Sequence, residues 1–186
     1  MNVVFLGPPG SGKGTQAARI AAELRVPHVS TGDMLRQAVE SGSELGGRVK
    51  GILESGMLVP DDVMAGVVRE RLAAPDCAGG FLLDGYPRTL PQGELLDALL
   101  AGSGRKLDHV AFLDVPAEEL IRRLLARGRS DDTVATIERR LQEYESKTFP
   151  LRDRYAQRGL LRRIEGTGDP DQVFARMRAA LGSPAR

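Results

Sequence analysis

Met1 to Gln16 reads MNVVFLGPPGSGKGTQ. A short apolar run from Val3 to Leu6 breaks off at Gly7, and Gly10, Gly12, Gly14, Pro8 and Pro9 then surround one positive charge, Lys13. Beyond it, Ala17, Ile20, Ala21 and Leu24 recur at helical spacing. The order is strand, bare turn, helix. Backbone N–H groups close around an anion only where side chains are missing, and the helix that follows adds the positive end of its dipole. Gly7-Pro8-Pro9-Gly10-Ser11-Gly12-Lys13 fits GxxxxGK in that context, so the turn is expected to hold phosphate, with Lys13 reaching the outer phosphates.

Working outward, apolar runs recur at Val26–Val29, Phe81–Leu83, Val110–Val115 and Leu160–Ile164, separated by stretches of helical spacing. That alternation predicts βα units and a doubly wound, mostly parallel sheet of five strands with helices on both faces. Leu45, Val49, Ile52 and Leu53 make one helical face, and Val134, Ile137, Leu141 and Tyr144 another. A last helix is expected to open with Asp169 as N-cap and Pro170 in first position, with Val173, Phe174, Met177 and Leu181 inward. Ala101 to Lys106 reads as an exposed loop.

The 186 residues suffice for one domain with a full core, spanning 1–186. A net charge of +1 argues against a nucleic-acid surface or a polybasic membrane patch. All but four of the 26 basic residues are arginine, whose planar fork suits phosphate. Cys77 is the only cysteine, which excludes an internal disulfide and a multi-thiolate zinc site and fits a reducing cytoplasm. No apolar run approaches the roughly 20 residues of a membrane span, and no basic segment precedes the first apolar residues, so a soluble, untargeted protein is expected.

Gly14 stands after Lys13, where phosphate loops commonly place a Ser or Thr on Mg²⁺, and Thr15 comes one residue later. The form Gly12-Lys13-Gly14-Thr15-Gln16 resembles that of the adenylate kinases, within the nucleoside monophosphate kinases. The resemblance covers nearly the whole chain, with the motifs in order. It implies ATP binding by Gly10, Ser11, Gly12, Lys13, Gly14 and Thr15. Ser30-Thr31-Gly32-Asp33-Met34-Leu35-Arg36 reads by itself as helix capping by Thr31 or Asp33. The resemblance puts Thr31 near the acceptor base and Arg36 on its phosphate, with Met57, Leu58 and Val59 contacting adenine through backbone groups. Residues 30 to 59 then form a movable arm.

Asp84-Gly85-Tyr86-Pro87-Arg88 follows a strand, with Gln92 beyond. An aspartate at a strand's C-terminal end lies where α/β ligands bind and can hold Mg²⁺ through water. By resemblance Thr15 and Asp84 serve the metal, Gly85, Tyr86, Pro87 and Arg88 face AMP, and Gln92 reads adenine. The family usually has Phe at Tyr86. The resemblance further brings Arg123, Arg129 and Arg140 onto the phosphates and assigns Arg127 to a lid over ATP. It sets a backbone carbonyl of Gly168 against the ATP base. Long-lid relatives carry an insertion between the positions of Arg127 and Arg129, and only Gly128 lies there now, so a short lid near 126–133 and no zinc are expected. Arg139, Arg152, Arg154 and Arg158 read as a solvated face.

The resemblance thus implies an ATP:AMP phosphotransferase using Mg²⁺, with Lys13, Arg88, Arg123, Arg129 and Arg140 as its catalytic cations. It also implies a cytoplasmic monomer acting on ATP, AMP and ADP, without nucleic acid or membrane. A UMP/CMP kinase shares much of this set but tends to have Ala at the position of Thr31 and Asn at that of Gln92. A phosphate-loop switch protein is a further alternative; a guanine-reading NKxD segment is absent.

Overall fold

A computed structural model describes residues 1–128 and 133–182. Strands β1 (Asn2–Leu6), β2 (His28–Ser30), β3 (Phe81–Asp84), β4 (His109–Asp114) and β5 (Leu161–Glu165) pair in parallel in the order β2-β3-β1-β4-β5. Successive residues serve opposite faces. Val4, Leu6, Leu83, Val110 and Phe112 enter one apolar cluster, and Val3, Phe5, Leu82, Ala111 and Leu113 the other. The central strands β1, β3 and β4, covered on both sides, need apolar residues almost throughout, which is why they read as runs.

Helices α1 (Lys13–Leu24) and α9 (Pro170–Leu181) cover the second cluster. On the first lie α4 (Asp61–Leu72), α5 (Leu90–Gly102) and α8 (Pro150–Gln157). The pair α2 (Thr31–Glu40) and α3 (Glu44–Glu54) joins that cluster through Leu35 and Val49. Helices α6 (Ala117–Arg127) and α7 (Val134–Glu143) flank residues 129–132, and a π-helical turn, Tyr144–Thr148, follows α7. Asp169 caps α9 by accepting from the Asp171 N–H, with Pro170 in first position.

From β1 the chain winds first to β2 and β3, then to the opposite side through β4 and β5. A crevice therefore opens at the C-terminal end of β1, where the glycine-rich turn sits. That turn is braced from behind. Gly7 and Gly10 have φ of +145° and +82°, and an added Cβ would lie 2.8 Å from the Leu113 carbonyl oxygen or 2.8 Å from Leu124 Cγ, respectively.

Several expectations are corrected. Strand β2 starts at His28, after Val26 has turned toward the α1 side. Val134 is 62% exposed, because the first residue of a helix has no preceding turn to cover. Helix α5 runs to Gly102, and Arg105 beyond it is anchored, its Nη2 donating to Cys77 O at 2.8 Å and Asn2 Oδ1 at 3.1 Å. Arg154 and Arg158 both reach Asp97, at 2.8 and 2.7 Å, and tie α8 to α5. Arg152 lies 4.0 Å over the Phe149 ring. Among the described residues no helix is long and apolar enough to cross a membrane.

Candidate active site

A cleft of about 800 Å³ occupies the crevice. Its floor is the turn after β1, where Gly12, with φ of 91°, precedes α1 and leaves the helix's first N–H groups uncovered by any side-chain cap. Lys13 Nζ donates to the carbonyls of Gly7 at 2.7 Å and Pro8 at 2.8 Å. Burial pushes its pKa down from 10.5 to about 8, with Arg88 and Arg127 adding to the shift and Asp84 opposing it. Asp84 ends β3 almost buried, 3.7 Å from His28 Nε2.

Arg88 is held on three sides. Its Nε donates to Gly85 O at 2.7 Å, its N–H to Gln92 Oε1 at 2.7 Å, and its carbonyl accepts from Thr148 Oγ1 at 2.8 Å. Desolvation by the cleft walls lowers its pKa, Asp84 opposes, and Arg140 and Arg36, which line the same cleft, add to the lowering. Arg36 pairs with Asp33. Arg123 donates to Glu119 at 2.7 Å, to Gly166 O at 3.1 Å and to Ser11 O at 3.4 Å, and so fastens α6 to the glycine-rich turn and to the loop after β5. Hydrogen bonds from Arg122 and Arg123 hold the Glu119 carboxyl down at about 2.

Beside the cleft is a slot of about 30 Å³ lined by Thr31, Leu35, Leu58, Val59, Met64, Gly85, Arg88 and Gln92. Thr31 is buried and donates to Asp84 O at 3.2 Å. The cap of α2 is Ser30, which accepts from the Asp33 N–H, so neither Thr31 nor Asp33 fills that role. Gly85, Leu58 and Arg88 border both the slot and the main cleft.

The sequence matches the family model described as adenylate kinase over residues 5–160. The chain belongs to the adenylate kinase family. It is 52% identical over 184 residues to an adenylate kinase of Thermus thermophilus, covering 97% of this chain and 96% of that one. It is 48% identical to one of Stenotrophomonas maltophilia, with 97% and 99% covered. A Carboxydothermus hydrogenoformans adenylate kinase is 43% identical over 212 aligned residues, 97% of this chain and 99% of that one. That alignment is longer than the 186 residues present here, so this relative carries residues that this adenylate kinase family member lacks.

Of the residues singled out from sequence, Gly10, Gly12, Lys13, Gly14, Thr15, Arg36, Leu58, Asp84, Gly85, Pro87, Arg88, Arg123, Arg127 and Arg140 line the main cleft. Thr31, Val59 and Gln92 line the slot. Ser11 is buried behind the turn, Tyr86 is 2% exposed in the core, and Met57 is 47% exposed outside both cavities. Gly168 is also absent from both walls. Arg129 lies outside the described residues. Sequence reasoning missed His28, Glu143, Tyr144 and Thr148, which also line the cleft. The position of His28 in the strand before Ser30-Thr31 was a usable signal; Glu143 at the end of α7 and Tyr144 and Thr148 in the π-helical turn arrive by long-range packing.

Among the described residues no group of three or more His, Cys, Asp or Glu could hold a metal ion. Asp84 and Thr15 nonetheless share the cleft as hard oxygen donors. One carboxylate and one hydroxyl suit Mg²⁺, which keeps several waters and takes its remaining oxygens from phosphates.

Proposed function

We infer that this chain catalyses reversible phosphoryl transfer from ATP to AMP, giving two ADP. The observation that carries it is the shared wall: Arg88 borders both the cleft over the phosphate-binding turn and the slot holding Gln92. An acceptor base entering at the slot, whose about 30 Å³ would have to widen by movement of the 30–59 arm to take a purine, and a donor chain on the turn would bring their phosphates together at that guanidinium. The names of the relatives support the same reaction.

Phosphoryl transfer needs two anionic oxygens held in line, their charge stabilised, and water excluded. The backbone around Gly10 to Thr15 binds the donor phosphates. Lys13, Arg88, Arg123 and Arg140, with Arg129, neutralise charge as it shifts between oxygens. Arg36 holds the acceptor phosphate, and the slot its base through Thr31, Gln92 and the backbone of Met57 to Val59. No general base is required, because the attacking group is already an anionic phosphate oxygen. Asp84 and Thr15 would hold Mg²⁺, largely through water, and the ion would supply charge neutralisation on the donor phosphates. Residues 30–59 act as the arm over AMP and 126–133 as a short lid over ATP, with Arg127 and Gly168 on the ATP side; together they exclude water. The protein works as a cytoplasmic monomer on small nucleotides; the single cysteine suits a reducing compartment.

A coupled assay of ATP with AMP, CMP, UMP and GMP tests this. AMP should be the preferred acceptor, and Arg88→Ala should lower its turnover by about 10³-fold or more without unfolding the chain. ATP hydrolysis independent of AMP, a preference for CMP, or a loss below about tenfold in the variant would overturn the reaction, the base assignment or the site, respectively.

A further inference from the structure

Asp61, the first residue of α4, lies behind the slot and outside its wall. Its two carboxylate oxygens take separate donors. Oδ1 accepts from Gln92 Nε2 at 2.7 Å, and Oδ2 from Thr89 Oγ1 at 3.0 Å. At the other end of the same amide, Gln92 Oε1 accepts from the Arg88 N–H at 2.7 Å. Thr89 is itself fixed as the N-cap of α5, accepting from the Gln92 N–H at 3.2 Å. Gln92 is 1% exposed, so water does not stand in for either anchor.

Turning the amide over would press Nε2 against the Arg88 N–H and Oε1 against the Asp61 carboxylate. Both mismatches would be buried, and a buried polar group without its partner is costly. The orientation is therefore specified twice. An amide has two N–H donors and two oxygen lone pairs. Each anchor uses one, which leaves one donor and one acceptor for a base, in fixed order. Adenine offers a 6-amino donor beside the N1 acceptor, which matches an acceptor and a donor on the amide. A 6-oxopurine offers an oxygen beside N1–H, the reverse order, and could be read only by the reversed amide.

We propose that Asp61 is a positioning residue that locks the Gln92 amide in the adenine-reading orientation and so makes the acceptor slot reject 6-oxopurine monophosphates. This rests on the slot being the AMP base site. Asp61 touches no substrate; it acts through Gln92, and its effect lies in the choice between acceptors.

The test compares kcat/KM for AMP and IMP, with ATP as donor, in the full chain and its Asp61 variants. Asp61→Ala removes one of the two anchors and should raise the IMP-to-AMP ratio by about threefold to tenfold, mainly through the KM for AMP. Asp61→Asn keeps an oxygen for Gln92 Nε2 and turns its amino group to the Thr89 hydroxyl, so its ratio should stay within about twofold of wild type. Asp61→Leu, which fills the space without an acceptor, should behave like the alanine variant and serves if that one folds poorly. In a Gln92→Ala background, removing Asp61 should leave the ratio unmoved. Equal losses for both acceptors in Asp61→Ala or Asp61→Leu would reduce Asp61 to a structural tie between α4 and α5 and overturn the proposal. If wild type forms no ADP from AMP, the reading of the slot fails and takes this with it; an active wild type with an unmoved ratio sinks the Asp61 proposal alone.

Discussion

Lys13 shows most directly how one residue ties structure to measurable behaviour. Its folded pKa is about 8 against 10.5 for an ordinary lysine, chiefly through burial. Between those values the unfolded chain holds the proton and the folded chain does not, so this group alone makes the fold more stable as pH rises through that window. Binding has the opposite sign. Free enzyme loses the ammonium above about pH 8, and kcat/KM for ATP should fall toward about tenfold per further pH unit, while kcat at saturating ATP holds to higher pH because bound phosphates keep the charge. A flat kcat/KM profile to roughly pH 10 would remove Lys13 from phosphate binding. Lys13 was legible from its spacing because the turn that positions it is local. Asp61 was not, since its partners Thr89 and Gln92 are 28 and 31 residues away and reach it only when α4 and α5 pack. Gln16 is a similar case: it sits at a buried position in α1 because its amide reaches Pro170 O, 154 residues on.

At the level of elements, the crossing of α2 and α3 depends on one missing side chain. A Cβ on Gly46 would fall 2.0 Å from the Ala38 carbonyl oxygen, whereas one on the adjacent Gly47 would meet nothing within 4 Å. Gly46→Ala should therefore destabilise the pair by about 1–3 kcal/mol. It should raise the KM for AMP but leave that for ATP, because α2 carries Thr31 and Arg36. Gly47→Ala should instead gain up to about 1 kcal/mol of helix propensity with both constants unchanged. Thermal melts and kinetics on the two variants decide it; equal behaviour would mean the crossing tolerates a methyl group. The apolar face of α3 could be read from Leu45, Val49, Ile52 and Leu53, but which of two neighbouring glycines faces α2 could not, because glycine carries no hydrophobic signal. The central strands β1, β3 and β4 were readable for the contrary reason: burial on both faces imposes an apolar residue at nearly every position, regardless of partner, whereas the edge strands β2 and β5 carry His28, Arg162 and Arg163 and read less clearly.

Across the whole molecule, charge is distributed unevenly. The cleft gathers six cations, Lys13, Arg36, Arg88, Arg123, Arg127 and Arg140, against Asp33, Asp84 and Glu143, while the chain as a whole carries only +1. The remaining charges sum to a negative value, and the field that draws in a polyphosphate is concentrated at the crevice. A sequence with Cys77 as its one thiolate, and that one buried, leads us to expect no stoichiometric zinc in elemental analysis of protein purified without chelators, and zinc at one per chain would contradict the short-lid assignment. The bracing of the glycine-rich turn has a consequence for how such motifs are inherited. Gly7 and Gly10 are demanded by Leu113, Leu120 and Leu124 behind them, whereas a side chain on Gly14 would have its nearest neighbour at 3.7 Å, the Asp84 carboxylate. A descendant that abandoned catalysis would still be obliged to keep Gly7 and Gly10 to close its core, and Lys13 would keep its ties to the Gly7 and Pro8 carbonyls, while Gly14 would be free to gain a side chain. The first glycines of the signature record the scaffold; of the residues at its end, it is Gly14 whose backbone the core leaves unconstrained.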